Sequence, residues 1–138
     1  MTKILLVADA ATVLGDLVAV VDDGEREVRE LRDGAAVRAV VAEFEPDLVI
    51  TDSQVQSMGG FAIAFDLANE ESGGRIAHVP VLVLLDRRPD VFLARRAGVA
   101  GYVVKPLDPV RLRRAVDALL AGGTFRDESF APTTVAAG

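Results

Sequence analysis

The chain has 138 residues, 51% of them apolar and 26% charged, with a net charge of −6. That length suits one compact domain with its own core, and that balance excludes an intrinsically disordered polymer. There are no cysteines, no apolar run approaches the roughly 20 residues that cross a bilayer, and the start resembles no signal peptide, so a cytoplasmic protein is expected, with neither membrane nor nucleic acid as its partner.

Ile4 to Val7 is a continuous apolar run, the pattern of a strand covered on both faces. Val13, Leu14, Leu17, Val18 and Val21 then recur at helical spacing. Arg26 to Leu31 mixes charges with Val28 and Leu31 and fits an edge strand. Asp33 is placed to cap a second helix whose apolar stripe is Val37, Val40, Val41 and Phe44. Leu48 to Ile50 reads as a strand, and Phe61, Ala64, Phe65 and Ala68 as the stripe of a third helix. Val81 to Leu85 follows as another continuous run, then a short helix from near Pro89-Asp90 to Gly98, then Tyr102 to Val104. Asp108 and Pro109 supply a cap and a preset first turn for a last helix, Pro109 to Ala121, which Gly122-Gly123 ends. This alternation predicts a doubly wound α/β fold, a parallel sheet with right-handed helical crossovers. Residues 122–138, rich in Gly, Ala, Thr and Pro with Phe125 and Phe130 isolated among them, are expected to be a flexible tail with no output domain.

In an open parallel sheet, ligands bind beyond the carboxyl ends of the strands. Those ends carry Asp9, Asp52, Asp86 and Lys105, the last followed by Pro106. Clustered carboxylates bind a hard cation such as magnesium, a cation and a lysine together neutralise a phosphoryl group, and an aspartate can serve as nucleophile. Singly, Asp9 and Asp52 are equally readable as turn or cap residues. As a set at four strand ends they argue for chemistry.

Several stretches resemble bacterial response-regulator receivers, including the single-domain chemotaxis regulators, over about residues 3 to 121. They are Lys3-Ile4-Leu5-Leu6-Val7-Ala8-Asp9, Pro46-Asp47-Leu48-Val49-Ile50-Thr51-Asp52 with Met58-Gly59-Gly60, Val79-Pro80-Val81-Leu82-Val83-Leu84, and Ala97-Gly98-Val99-Ala100-Gly101-Tyr102-Val103-Val104-Lys105-Pro106. The resemblance implies a receiver domain over residues 1–121 with a flavodoxin-like five-stranded sheet of order 2-1-3-4-5 and five helices. It implies Asp52 as phosphoacceptor, Lys105 as the contact to the phosphoryl oxygens, and a cis Lys105-Pro106 peptide. Magnesium would be held by Asp9, Asp52 and the backbone carbonyl of Gln54, with Asp86 as a further candidate. Leu85 and Tyr102 occupy the switch positions.

Three residues depart from the family pattern. Ala8 stands where a second acid is usual, which weakens the expected magnesium site. Leu85 replaces a Thr or Ser whose hydroxyl bonds the phosphoryl group, and a hydrogen bond to a charged group is worth about 1.5–3 kcal/mol. Asp86 replaces a small residue; its side chain is expected to turn to solvent or cap the helix near Pro89, the competing reading being that it restores metal-site charge. Gln56, in place of a common proline, suggests a less rigid loop. Gln54 and Arg87 sit where side chains tune phosphoryl lifetime, and His78 reads as an ordinary loop histidine.

The implied function is a stand-alone receiver in phosphorelay signalling, not a conventional enzyme. It would accept a phosphoryl group from a sensor histidine kinase or other phosphohistidine donor and signal by contact with a downstream protein. The fourth helix, fifth strand and fifth helix would serve for docking or a homodimer, although Arg111, Arg113 and Arg114 read most simply as a solvated face. The alternative is a phosphorylation-independent receiver-like interaction module, motivated by Ala8, Leu85 and Asp86. A flavodoxin-like cofactor binder shares the fold, but the first loop lacks a phosphate-cradling Gly or Ser/Thr cluster.

Overall fold

The computed structural model describes residues 1–128. Strand and helix alternate as β1 (Lys3–Val7), α1 (Ala11–Val21), β2 (Glu27–Leu31), α2 (Val37–Phe44), β3 (Leu48–Asp52), α3 (Gly60–Ser72), β4 (Val81–Leu85), α4 (Val91–Ala97), β5 (Gly101–Val104), α5 (Pro109–Leu120) and β6 (Phe125–Arg126). The strands form one sheet in the order β2-β1-β3-β4-β5-β6. Every pairing is parallel, so the carboxyl ends of all strands lie along one rim.

Continuous apolar sequence becomes burial on both faces, because neighbouring strand residues point to opposite sides of the sheet. Leu5, Val7, Val49, Val83, Leu85, Tyr102 and Val104 pack beneath α2, α3 and α4. Ile4, Leu6, Leu48, Ile50, Leu82, Leu84 and Val103 pack beneath α1 and α5. The charged strand β2 lies at one edge, as its composition predicts.

Local signals hold where a side chain closes a turn. The carboxylate of Asp108 accepts from the N–H groups of Val110 and Arg111 at 2.8 and 3.1 Å, starting α5. Asp33 accepts from Ala35 N–H at 3.0 Å and caps a short turn, Gly34–Ala36, that leads into α2. Gly98 ends α4 in the left-handed conformation (φ +68°), where a side chain would be strained.

Two expectations are corrected. The buried face of α3 is Gly60, Ile63, Ala64 and Leu67, and Phe65 is 54% exposed. The rotation follows from Gly60, whose α-carbon comes so near the end of β3 that an added Cβ would lie 2.6 Å from the Asp52 carbonyl oxygen. Only a glycine permits that approach, and it fixes which side of α3 meets the sheet. The sheet also has a sixth strand in place of the expected five: Phe125 and Arg126, from the segment read as a tail, pair with Gly101 and Tyr102 of β5. Asp127 follows, 1% exposed, accepting the N–H of Val104 at 2.8 Å and meeting the Arg111 guanidinium at 3.5 Å. Phe130 and the rest of that segment, residues 129–138, lie outside the described residues.

Candidate functional site

β3 ends in Asp52, and the chain then turns sharply, with Gly60 N–H donating to the carbonyl of Ser53 at 3.1 Å. This holds the start of α3 over the strand end and leaves Asp52 only 4% exposed. β5 ends one residue before Lys105, whose peptide to Pro106 is cis. The N–H of Lys105 donates to the carbonyl of Leu85 at 2.8 Å, which ties the end of β5 to the end of β4.

From these strand ends three side chains converge. The Lys105 ammonium donates to Asp52 Oδ2 at 2.8 Å and to Asp86 Oδ1 at 2.8 Å. Asp52 Oδ1 accepts from Gln54 N–H at 3.2 Å. Asp86 Oδ2 accepts from the Ser53 hydroxyl at 3.2 Å. Burial, the largest single influence, pulls the Lys105 ammonium down, but its bonds to Asp52 and then Asp86, with their charges, outweigh it and hold Lys105 above its ordinary 10.5. Lys105 is therefore a fixed cation bridging two carboxylates.

This corrects the expectation for Asp86. Its carboxylate neither turns wholly to solvent nor caps the turn Arg88–Asp90 before α4, whose N-cap residue is Arg87 and which has no side-chain cap. It bends back to the lysine because a neighbouring cation offers a charge-assisted bond that water or a neutral N–H does not match. Ser53, bridging the end of β3 to Asp86, was not singled out from the sequence; its place immediately after Asp52 was the available signal.

Asp9 stands at the end of β1, exposed, and its Oδ2 accepts from Gln56 N–H at 3.0 Å. A proline at position 56 would have no such donor. Gln56 further accepts at its carbonyl from Gly34 N–H at 3.3 Å, and the Ser57 hydroxyl bonds Asp33. The loop expected to be looser is thus pinned to the loops after β1 and β2. Ala8 is fully buried, in the core beneath α1 and α5.

Leu85 is 0% and Tyr102 2% exposed, both in the core beneath α2, α3 and α4. The Tyr102 ring is inward, and its hydroxyl is buried without a hydrogen-bond partner among the described residues. His78 lies at the opposite end of the sheet, paired with Glu71 at 3.0 Å. Arg87 meets Asp90 at 3.3 Å, while Arg113 and Arg114 are exposed on α5.

The donors present suit one kind of cation. Asp9, Asp52 and the Gln54 carbonyl offer hard oxygens, and each carboxylate oxygen that accepts one bond keeps a lone pair free. Among the described residues no three His, Cys, Asp or Glu side chains are gathered to hold a metal by protein ligands alone. Magnesium usually keeps several waters and takes one or two carboxylates, so this sparse set fits it.

Comparison with known proteins agrees with this geometry. The response regulator receiver domain family matches residues 4–117, and the chain belongs to that family. It is 27% identical over 124 residues to protein PilH of Pseudomonas aeruginosa, covering 88% of this chain and all of that one. It is 30% identical over 118 residues to chemotaxis protein CheY-3 of Vibrio cholerae, covering 83% of this chain and 88% of the relative. The signal receiver domain of a histidine kinase from Syntrophus aciditrophicus superposes with a TM-score of 0.77 at 25% identity, over 96% of this chain and 99% of that one. The chain is therefore a receiver domain of two-component signalling with the flavodoxin-like fold. Among the described residues no helix is long and apolar enough to cross a membrane.

Proposed function

We propose that this receiver accepts a phosphoryl group at Asp52 from a phosphohistidine donor such as a sensor kinase and signals through contact with another protein. The observation that carries the reading is the Lys105 ammonium 2.8 Å from Asp52 Oδ2 at the rim of the sheet. A nearly buried carboxylate with a fixed cation beside it is suited to attack phosphorus and to keep the product charge neutralised. An Asp52 oxygen forms the new O–P bond, the P–N bond to the donor imidazole breaks, and the released ring nitrogen takes a proton from water. Magnesium, held by Asp9, Asp52 and the Gln54 carbonyl, would supply positive charge to the transferring oxygens. Lys105 contributes the protein's own share and orients the acceptor.

Downstream contact would use α4, β5 and α5, the surface expected for docking or a homodimer. Phe92 and Leu93 on α4 are 71% and 52% exposed and Val110 on α5 is 55% exposed. β6 occupies the outer edge of β5, so such a contact would be made by helix side chains and not by adding a strand. A cytoplasmic setting with a soluble kinase domain as donor belongs to the same reading.

Incubation with acetyl phosphate and magnesium, followed by intact-mass measurement, tests it. A mass gain of one phosphoryl group is expected, and Asp52→Asn should abolish it. No gain in the wild-type protein would instead favour a phosphorylation-independent interaction module, a reading that the buried, hydroxyl-free Leu85 supports.

A further inference from the structure

The feature that the acceptor reading does not use is the second carboxylate on Lys105. Asp86 takes one of the three ammonium donors through Oδ1 and the Ser53 hydroxyl through Oδ2. The ammonium, already 2.8 Å from Asp52 Oδ2, is a donor that a phosphoryl group attached to Asp52 would need, because that group brings about −1.5 to −2 charges and three acceptor oxygens to the same rim. Leu85, fully buried and apolar, offers no hydroxyl in compensation.

We propose that Asp86 is an internal occupant of the phosphoryl seat: its carboxylate holds Lys105 and Ser53 in the unmodified protein and must leave them for a phosphoryl group to be held. The proposal rests on Asp52 being the acceptor. Two facts support displacement as the route. The Asp86 side chain is 38% exposed, whereas that of Asp52 is 5% exposed, so Asp86 has water to move into and Asp52 does not. Asp86 also lies just after β4 and before the short turn Arg88–Asp90, outside the hydrogen-bonded ladder that fixes the acceptor. Like charge makes coexistence unfavourable at this distance, since the Asp86 carboxylate and a phosphoryl group esterified to Asp52 would compete for one ammonium. Asp86 therefore sets the affinity of the seat for tetrahedral anions. When it swings out, the loop between β4 and α4 loses its ties to Ser53 and Lys105, which gives this chain a way to couple the acceptor to that loop without a hydroxyl at position 85.

The test is a fluorine NMR titration of wild type, Asp86→Ala and Asp86→Asn with beryllofluoride and magnesium, with circular dichroism melts as the folding control. Asp86→Ala is expected to bind about tenfold more tightly than wild type, the factor that loss of one competing charge-assisted bond implies. Asp86→Asn, which keeps the shape and removes the charge, should fall between them and serves if the alanine variant does not fold. Equal affinity in all three, with binding intact, would overturn the inference and leave the acceptor reading standing. Binding by neither wild type nor either folded variant would overturn both. Binding only by the variants would support the inference in its strongest form.

Discussion

Asp127 accepts the backbone N–H of Val104 at 2.8 Å and so continues the bonding of β5 one step past the last residue of β6. The same carboxylate meets Arg111 on α5 at 3.5 Å while being 1% exposed. One side chain thus fastens the C-terminal strand to both a strand and a helix. Replacing it leaves a buried N–H without its acceptor. Asp127→Ala is expected to lower the unfolding free energy by about 1–3 kcal/mol, measured by urea denaturation, and to speed hydrogen exchange at the Val104 amide specifically. Unchanged exchange at Val104 would show that the carboxylate is not the anchor.

The Tyr102 hydroxyl poses the opposite case, a buried polar atom without a partner among the described residues. Tyr102→Phe removes the group that is denied water and keeps the ring. The variant should be as stable as wild type or more stable by about 1 kcal/mol, as read from thermal unfolding. A clear loss of stability would mean that a water or another group satisfies the hydroxyl.

Gly15 and Gly60 form a matched pair. Among the described residues nothing lies within 4 Å of a Cβ built at Gly15 in α1, whereas one at Gly60 would meet the Asp52 carbonyl oxygen at 2.6 Å and Ser53 Cα at 3.1 Å. Gly15→Ala is expected to stabilise by about 0.5–1 kcal/mol through helix propensity. Gly60→Ala should destabilise by about 1–3 kcal/mol and slow phosphoryl uptake at Asp52 by displacing the strand end. Chemical denaturation of the two variants side by side checks both signs.

The acid limb of the stability curve should report the cap of α5. Asp108 is held below its ordinary 3.8 first by the N–H of Arg111 and then by that of Val110. A depressed carboxylate contributes stability that is present above its unfolded value and is lost as pH falls through the folded value. Asp108→Asn retains a capping oxygen, so stability near neutrality should be similar, but the fall below about pH 4 should become shallower by that group's share. Parallel acid limbs would show that the cap does not titrate with folding.

The parts legible in the sequence are those where many residues repeat one message. Four continuous apolar runs and the stripes of α1 and α2 each repeat one message several times, and Asp108-Pro109 states the start of α5 twice over. The strand ends then followed, and with them the meeting of Asp52 and Lys105. β6 was not legible because two residues, Phe125 and Arg126, carry no period, and its anchor is an aspartate, a type that usually faces water. The face of α3 was misjudged because two phenylalanines outweighed a glycine whose importance lies in what its backbone approaches. Asp86 eluded the sequence for a third reason: the direction of an acidic side chain in a loop depends on which cation comes within reach, and Lys105 is 19 residues away.

The parallel course of β6 also fixes where attachments belong. The chain enters the sheet through β1 at the amino rim, beside an 86% exposed Met1, and the described residues finish at the carboxyl rim, where Asp127 touches Val104, the neighbour of Lys105. A fluorophore or affinity tag joined at residue 1 therefore stands a full strand length from Asp52, whereas cargo joined directly after Glu128 starts out at the rim that carries Asp52 and Lys105.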